Sequence, residues 1–156
     1  MKRVLFIAST GGHLSELMQL KELFGRYSYS IITEKDEATA TLKEEYKEKI
    51  SYLSYATRSR IFAYPFKFAF NGFKSLYLFI KIKPEYIVTT GTHTAVPMCY
   101  IGKIFGRKII FIETFANRNK KTLSGRLVYP IASLFIVQWD EMLKLYPKAI
   151  LGGSIY

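Results

Sequence analysis

Val4-Leu5-Phe6-Ile7-Ala8-Ser9-Thr10-Gly11-Gly12-His13 is the stretch whose reading decides the fold. It starts as a short apolar run and breaks at two glycines. Leu14, Leu17, Met18, Leu20 and Leu23 then recur at helical spacing. Strand, tight turn and helix open a doubly wound α/β domain, so one Rossmann-like parallel sheet is predicted over residues 1–156. Gly11 and Gly12 allow a sharp turn and a close approach by a ligand. The helix start aims free N–H groups at that space, which suits a phosphate or diphosphate. His13 stands where a base reaches a bound hydroxyl. The turn matches neither G-x-G-x-x-G nor a P-loop. It is equally compatible with a plain βα turn carrying a solvated histidine.

Length and composition set bounds on the rest. The 156 residues suffice for one domain with a core. A hydrophobic share of 49% against 22% charged excludes a disordered chain. The single Cys99 excludes a disulfide framework and points to a reducing compartment. The first apolar run is too short for a signal peptide, and no charge-free stretch is long enough for a regular spanning helix. The net charge is +11. Six of the 12 acids fall between Glu34 and Glu48, whereas Lys49 to Pro84 holds seven Lys and Arg and no acid. The middle of the chain therefore faces an anionic partner: lipid head groups, diphosphates or nucleic acid. No RNP, helix-turn-helix or zinc pattern appears, so nucleic acid is set aside. Two His, one Cys and no carboxylate cluster at ligand spacing give no metal site.

Further strands are predicted at Tyr27–Thr33, Ile50–Tyr55, Glu85–Thr90, Arg107–Ile112, Leu134–Val137 and Ala149–Leu151. Asp36 to Glu48 reads as a solvated helix or a mobile loop. Ile61 to Ile82 (IFAYPFKFAFNGFKSLYLFIKI) is unusual: eight of its 22 residues are Phe or Tyr. Arg60, Lys67, Lys74 and Lys81 recur every seven residues, forming one basic stripe on a helix. Phe66, Phe70, Phe73 and Tyr77 lie among them. Aromatic bulk with cations alone is the pattern of a helix in an anionic membrane interface. A helix packed on the sheet with snorkelling lysines is the plainer alternative.

Thr89-Thr90-Gly91-Thr92-His93 ends the Glu85 strand as Ser9-Thr10-Gly11-Gly12-His13 ends the first. Two such turns flank one crevice if their strands are neighbours. A helix follows to about Phe105. Glu113 ends the next strand, as a base, an acceptor-orienting carboxylate, or a structural carboxylate paired with a cation. The loop carrying Asn117, Arg118 and Lys120 suits a diphosphate or sugar, or is a solvated basic loop. Helices are expected from Ser124 to about Ser133 and from Gln138 to near Pro147.

Gly11-Gly12-His13-Leu14, Thr90-Gly91 with Pro97, and Glu113-x-x-x-Asn117 come in the order seen in the amino-terminal half of MurG-like, two-domain glycosyltransferases (the GT-B fold). The chain resembles more specifically the membrane-associated subunit of a split enzyme of that kind, which extends dolichol diphosphate-linked sugar. Ser124-Gly125-Arg126-Leu127 to Gln138-Trp139 is similar to bacterial capsule proteins described as glycosyltransferase enhancers. The resemblance implies no cofactor and a partner subunit that binds the UDP-sugar. It implies a polyprenyl-diphosphate-linked acceptor held on this half, at the cytoplasmic face of the plasma membrane. His13 and Glu113 are then the catalytic candidates. Gly11, Gly12, Thr90, Gly91, Thr92, Asn117 and Arg118 would bind the acceptor, and the basic aromatic segment the membrane. The eukaryotic subunit carries an amino-terminal spanning helix, whereas this sequence begins with its first strand, so anchoring would fall to Ile61–Ile82. A rival expectation is a non-catalytic scaffold that only recruits its partner.

Overall fold

A computed structural model describes residues 1–55 and 64–154, with backbone alone for 64–68. Seven strands form one parallel sheet: β1 (Arg3–Ala8), β2 (Ser28–Lys35), β3 (Ile50–Ser54), β4 (Tyr86–Gly91), β5 (Lys108–Ile112), β6 (Leu134–Val137) and β7 (Ile150–Leu151). Their order is β3-β2-β1-β4-β5-β6-β7. The connecting helices are α1 (Gly12–Met18), α2 (Lys21–Phe24), α3 (Leu42–Tyr46), α4 (Tyr64–Ile82), α5 (Ala95–Ile104), α6 (Leu123–Val128) and α7 (Asp140–Leu143).

Helices pack on both faces of the sheet, which is why the central strands β1 and β4 read as near-continuous apolar runs. Along β1, Leu5 and Ile7 enter one core with Leu78 of α4, Met98 of α5 and Val128 of α6. Val4 and Phe6 enter the other with Leu14 and Leu17 of α1 and Phe24 of α2. The chain thus leaves β1 toward one face and β4 toward the other. Because β1 and β4 are neighbours, their carboxyl ends diverge into a crevice at the topological switch point.

Several elements differ from the sequence expectation. The first helix is broken between Met18 and Lys21, and Phe24, not Leu23, enters the core, 4.5 Å from the Phe6 ring. Asp36–Glu48 is neither one solvated helix nor a loose loop. A 3-10 turn over Glu37–Thr39 is capped reciprocally by Asp36 and Thr39, and α3 follows. The helix after Ser124 stops at Val128, short of Ser133, because Pro130 has no N–H to continue the ladder. Gln138 precedes the last helix instead of opening it, and its amide donates to the Glu113 carbonyl (3.1 Å).

In α4, Asn71, Ser75, Leu78 and Phe79 are buried. The Asn71 amide donates to the Ser54 carbonyl (2.7 Å) and accepts from the Ser54 N–H (2.9 Å), tying the helix to the carboxyl end of β3. Phe70, Phe73 (76% exposed), Tyr77 (64% exposed) and Ile80 form the outward stripe. Lys74 is half-buried and Lys81 exposed. Phe66 and Lys67 lie on α4, where only the backbone is described, and Arg60 lies outside the described residues. Among the described residues no helix is long and apolar enough to cross a membrane.

Candidate functional site

The crevice is built from the turns after β1 and β4. Gly11 (φ +81°) and Gly91 (φ +104°) adopt backbone that only glycine takes without strain. The Gly91–Thr92 peptide is cis. Ser9 N–H donates to the Gly91 carbonyl (3.2 Å) and the Thr92 hydroxyl to Ser9 Oγ (3.0 Å), lacing the turns together. The lacing continues at His13. The Thr90 hydroxyl donates to the His13 carbonyl (2.7 Å), and His13 Nδ1 lies 2.8 Å from the Thr90 carbonyl oxygen. A carbonyl only accepts, so Nδ1 carries the hydrogen. The neutral ring then keeps its lone pair on Nε2, the basic nitrogen. A Cβ on Gly91 would sit 3.3 Å from both His13 Nδ1 and Ser124 Oγ, so the missing side chain is what lets the three turns meet.

Two carboxylates that the sequence did not single out stand beside these turns. Glu34, at the end of β2, is buried and accepts from the Thr94 hydroxyl (2.6 Å), with His93 Nε2 at 3.8 Å. Glu16, one helical turn after His13, accepts at Oε1 from the Thr114 hydroxyl (2.7 Å) and the Phe115 N–H (3.1 Å). Its Oε2 lies 4.0 Å from His13 Nδ1. The i, i+3 spacing of His13 and Glu16 was the signal that could have found it. At Asp36, burial would raise the carboxyl, but hydrogen bonds from Thr10 and Thr39 outweigh it and hold the group below its ordinary value.

Glu113 is placed differently from an open strand-end base. It is 1% exposed. Its carboxylate accepts from the Tyr146 hydroxyl (2.8 Å), the Thr122 hydroxyl (2.9 Å) and the Thr114 N–H (3.2 Å). Its partners are hydroxyls and an amide, not the cation of the structural alternative. Burial pushes its carboxyl above the ordinary range, against the pull of those hydrogen bonds. Thr122 in turn accepts from Gly125 N–H (2.9 Å), capping α6. Glu113 thereby fixes the start of α6, which carries Ser124 to Gly91.

Asn117 lies in the loop between β5 and α6, its N–H donating to the Thr114 carbonyl (3.2 Å). Arg118 is turned to α7: its guanidinium meets Glu141 Oε1 (2.8 Å) and stacks over Trp139 (4.9 Å). The crevice therefore unites His13, Gly11, Gly12, Thr90, Gly91 and Thr92, with Glu113 beneath it and Arg118 engaged elsewhere. Cys99 is buried, which pushes its thiol to about 12. Among the described residues no group of three or more His, Cys, Asp or Glu is placed to hold a metal ion.

The fold is that of one half of a GT-B enzyme. It superposes on Acinetobacter baumannii MurG with a TM-score of 0.73 at 17% identity, over 90% of this chain and 43% of that one. Neisseria meningitidis UDP-GlcNAc 2-epimerase gives 0.71 at 11% identity, over 98% and 47%. The chain thus spans less than half of each of these structures. Residues 4–155 match the family described as oligosaccharide biosynthesis protein Alg14 like, and the chain belongs to that family. It is 32% identical to UDP-N-acetylglucosamine transferase subunit ALG14 of Candida albicans, over 96% of this chain and 76% of the relative. The mouse subunit of the same name is 28% identical over 98% and 82%.

Proposed function

We propose that this chain is the acceptor-side, membrane-bound subunit of a two-component glycosyltransferase. A partner subunit holds a UDP-sugar, and this chain holds a polyprenyl-diphosphate-linked sugar. The observation that carries the reading is the His13 ring at the switch point, with Nδ1–H engaged by the Thr90 carbonyl and Nε2 left basic. In the reaction, an acceptor hydroxyl attacks the anomeric carbon of the donor. The bond from that carbon to the diphosphate oxygen breaks, the electron pair leaves with UDP, and the hydroxyl proton passes to His13 Nε2. Gly11, Gly12, Thr90, Gly91 and Thr92 shape the acceptor pocket, and Asn117 borders it. Arg118 serves the diphosphate only by exchanging Glu141 for it. Glu113 acts through Thr122 as a positioning residue.

Two surfaces support the remaining roles. The stripe Phe70, Phe73, Tyr77 with Lys74 and Lys81 fits a peripheral contact with an anionic bilayer, at the cytoplasmic face of the plasma membrane. On the opposite side of the sheet, a groove of about 580 Å³ is lined by Phe6, Leu20, Val88, Ile110, Ile112 and Ile136. An apolar groove of that kind suits the partner subunit. Capsule polysaccharide is the product this reading assigns, on the similarity of the Ser124–Trp139 run. The test is reconstitution with labelled UDP-N-acetylglucosamine and polyprenyl-diphosphate-linked monosaccharide. This chain alone, the partner alone and both together are compared. Transfer by the pair alone is expected; equal transfer by the partner alone contradicts the reading.

A further inference from the structure

Glu16 is a feature of the crevice that the reaction above leaves unused. It divides its two oxygens between different tasks. Oε1 takes both donors offered by the loop after β5, the Thr114 hydroxyl and the Phe115 N–H. Oε2 is buried and, among the described residues, accepts no hydrogen bond. It lies 4.0 Å from His13 Nδ1. Leaving a buried carboxylate oxygen without a donor costs free energy unless another charge offsets it. The arrangement makes sense at the moment His13 takes a proton, because the ring is then a cation beside a charge already in place.

We infer that Glu16 is a positioning residue for His13, clamping the loop after β5 with one oxygen and opposing the imidazolium charge with the other. The inference rests on His13 being the base. Unpaired Oε2 is unfavourable in the resting site and favourable once the ring is charged, so its effect falls on the transition state and not on acceptor binding. The i, i+3 placement on α1 fixes the distance without a hinge, since both residues ride on one rigid turn. Three other elements hold the pair in register. Thr90 of β4 holds the ring, Thr114 and Phe115 hold Glu16, and Ser124 of α6 closes on Gly91 beside it.

Glu16→Gln separates the two tasks. The glutamine carbonyl still accepts from Thr114 and Phe115, while the charge beside His13 is gone. In the reconstituted pair, kcat for Glu16→Gln should fall at least about tenfold, with the acceptor KM and the melting temperature of this chain unchanged. The ring ¹⁵N spectrum of His13 should keep its Nδ1–H form, assigned by difference in His93→Gln, since the chain has only two histidines. Glu16→Ala should lose melting temperature as well as rate. A Glu16→Gln pair working at the wild-type rate would overturn the inference. So would a loss that appears wholly in the acceptor KM. His13→Ala in the same assay keeps the two ideas apart. If His13→Ala abolishes transfer and Glu16→Gln does not change it, only this inference falls. If His13→Ala transfers at full rate, the assignment of the base falls with it.

Discussion

At the scale of single residues, the crevice depends on atoms that are absent as much as on those present. Gly91 combines φ +104° with His13 and Ser124 each 3.3 Å from the vacant Cβ position. Gly91→Ala should cost about 1–3 kcal/mol in strain, lower the melting temperature and displace the His13 ring; unchanged melting and unchanged transfer would contradict this. Glu113 makes a pH prediction with a definite sign. Its folded-state carboxyl titrates above its unfolded value because of burial. The folded state therefore binds the proton more tightly, and this contribution to stability is present below the unfolded value near 4.5 and lost as pH rises through the folded one. The stability of the wild type relative to Glu113→Gln should shrink from pH 4.5 upward in thermal melts. A margin that widens with pH would contradict the assignment. His13, the glycines and Thr90 were legible in the sequence because a turn after a strand is a local pattern. Glu16 was not singled out despite its i, i+3 spacing from His13, and the hydrogen-bond partners of Glu113 were not foreseen, because those partners are remote. Glu16 meets Thr114 across 98 positions and Glu113 meets Tyr146 across 33, and no periodicity carries such a pairing.

At the scale of elements, α4 and α5, which pack into the same core on one face of the sheet, differ in what they need. Helix α5 needs close contact with the sheet: a Cβ on Gly102 would collide with Ile87 Cδ1 and reach 3.0 Å from Ile109 Cδ1. Gly102→Ala should destabilise by about 1–3 kcal/mol, a drop of several degrees for a domain of this size. Helix α4 exposes Phe70, Phe73, Tyr77 and Ile80, the side that the proposed function gives to the membrane. Phe73→Glu with Tyr77→Glu should leave the melting temperature unchanged and abolish co-sedimentation with vesicles rich in anionic lipid. Retained binding would move the membrane contact off this helix. The strands, the long aromatic helix and the order of elements were readable from hydrophobic spacing. The break after Met18, the capped turn at Asp36 and the stop at Val128 were not, because side-chain caps, core entry and a proline two residues on decide them.

At the scale of the whole molecule, a parallel sheet with its switch point between β1 and β4 brings two Gly-and-His turns to one edge. The aromatic helix is anchored at that same edge by Asn71 and Ser54. An acceptor whose tail lies in a bilayer and whose sugar enters the crevice would use both at once. The chain spans less than half the length of the structures it superposes on. In the proposed function a partner supplies the UDP-sugar site. The measurement that tests this most directly is transfer by the assembled pair carrying His13→Ala, with melting temperature and vesicle binding verified as wild type. Loss of transfer by at least about a hundredfold, the scale of general-base catalysis, is expected. Transfer at the wild-type rate would contradict a base in this chain and leave it a subunit that only brings the acceptor and the partner together.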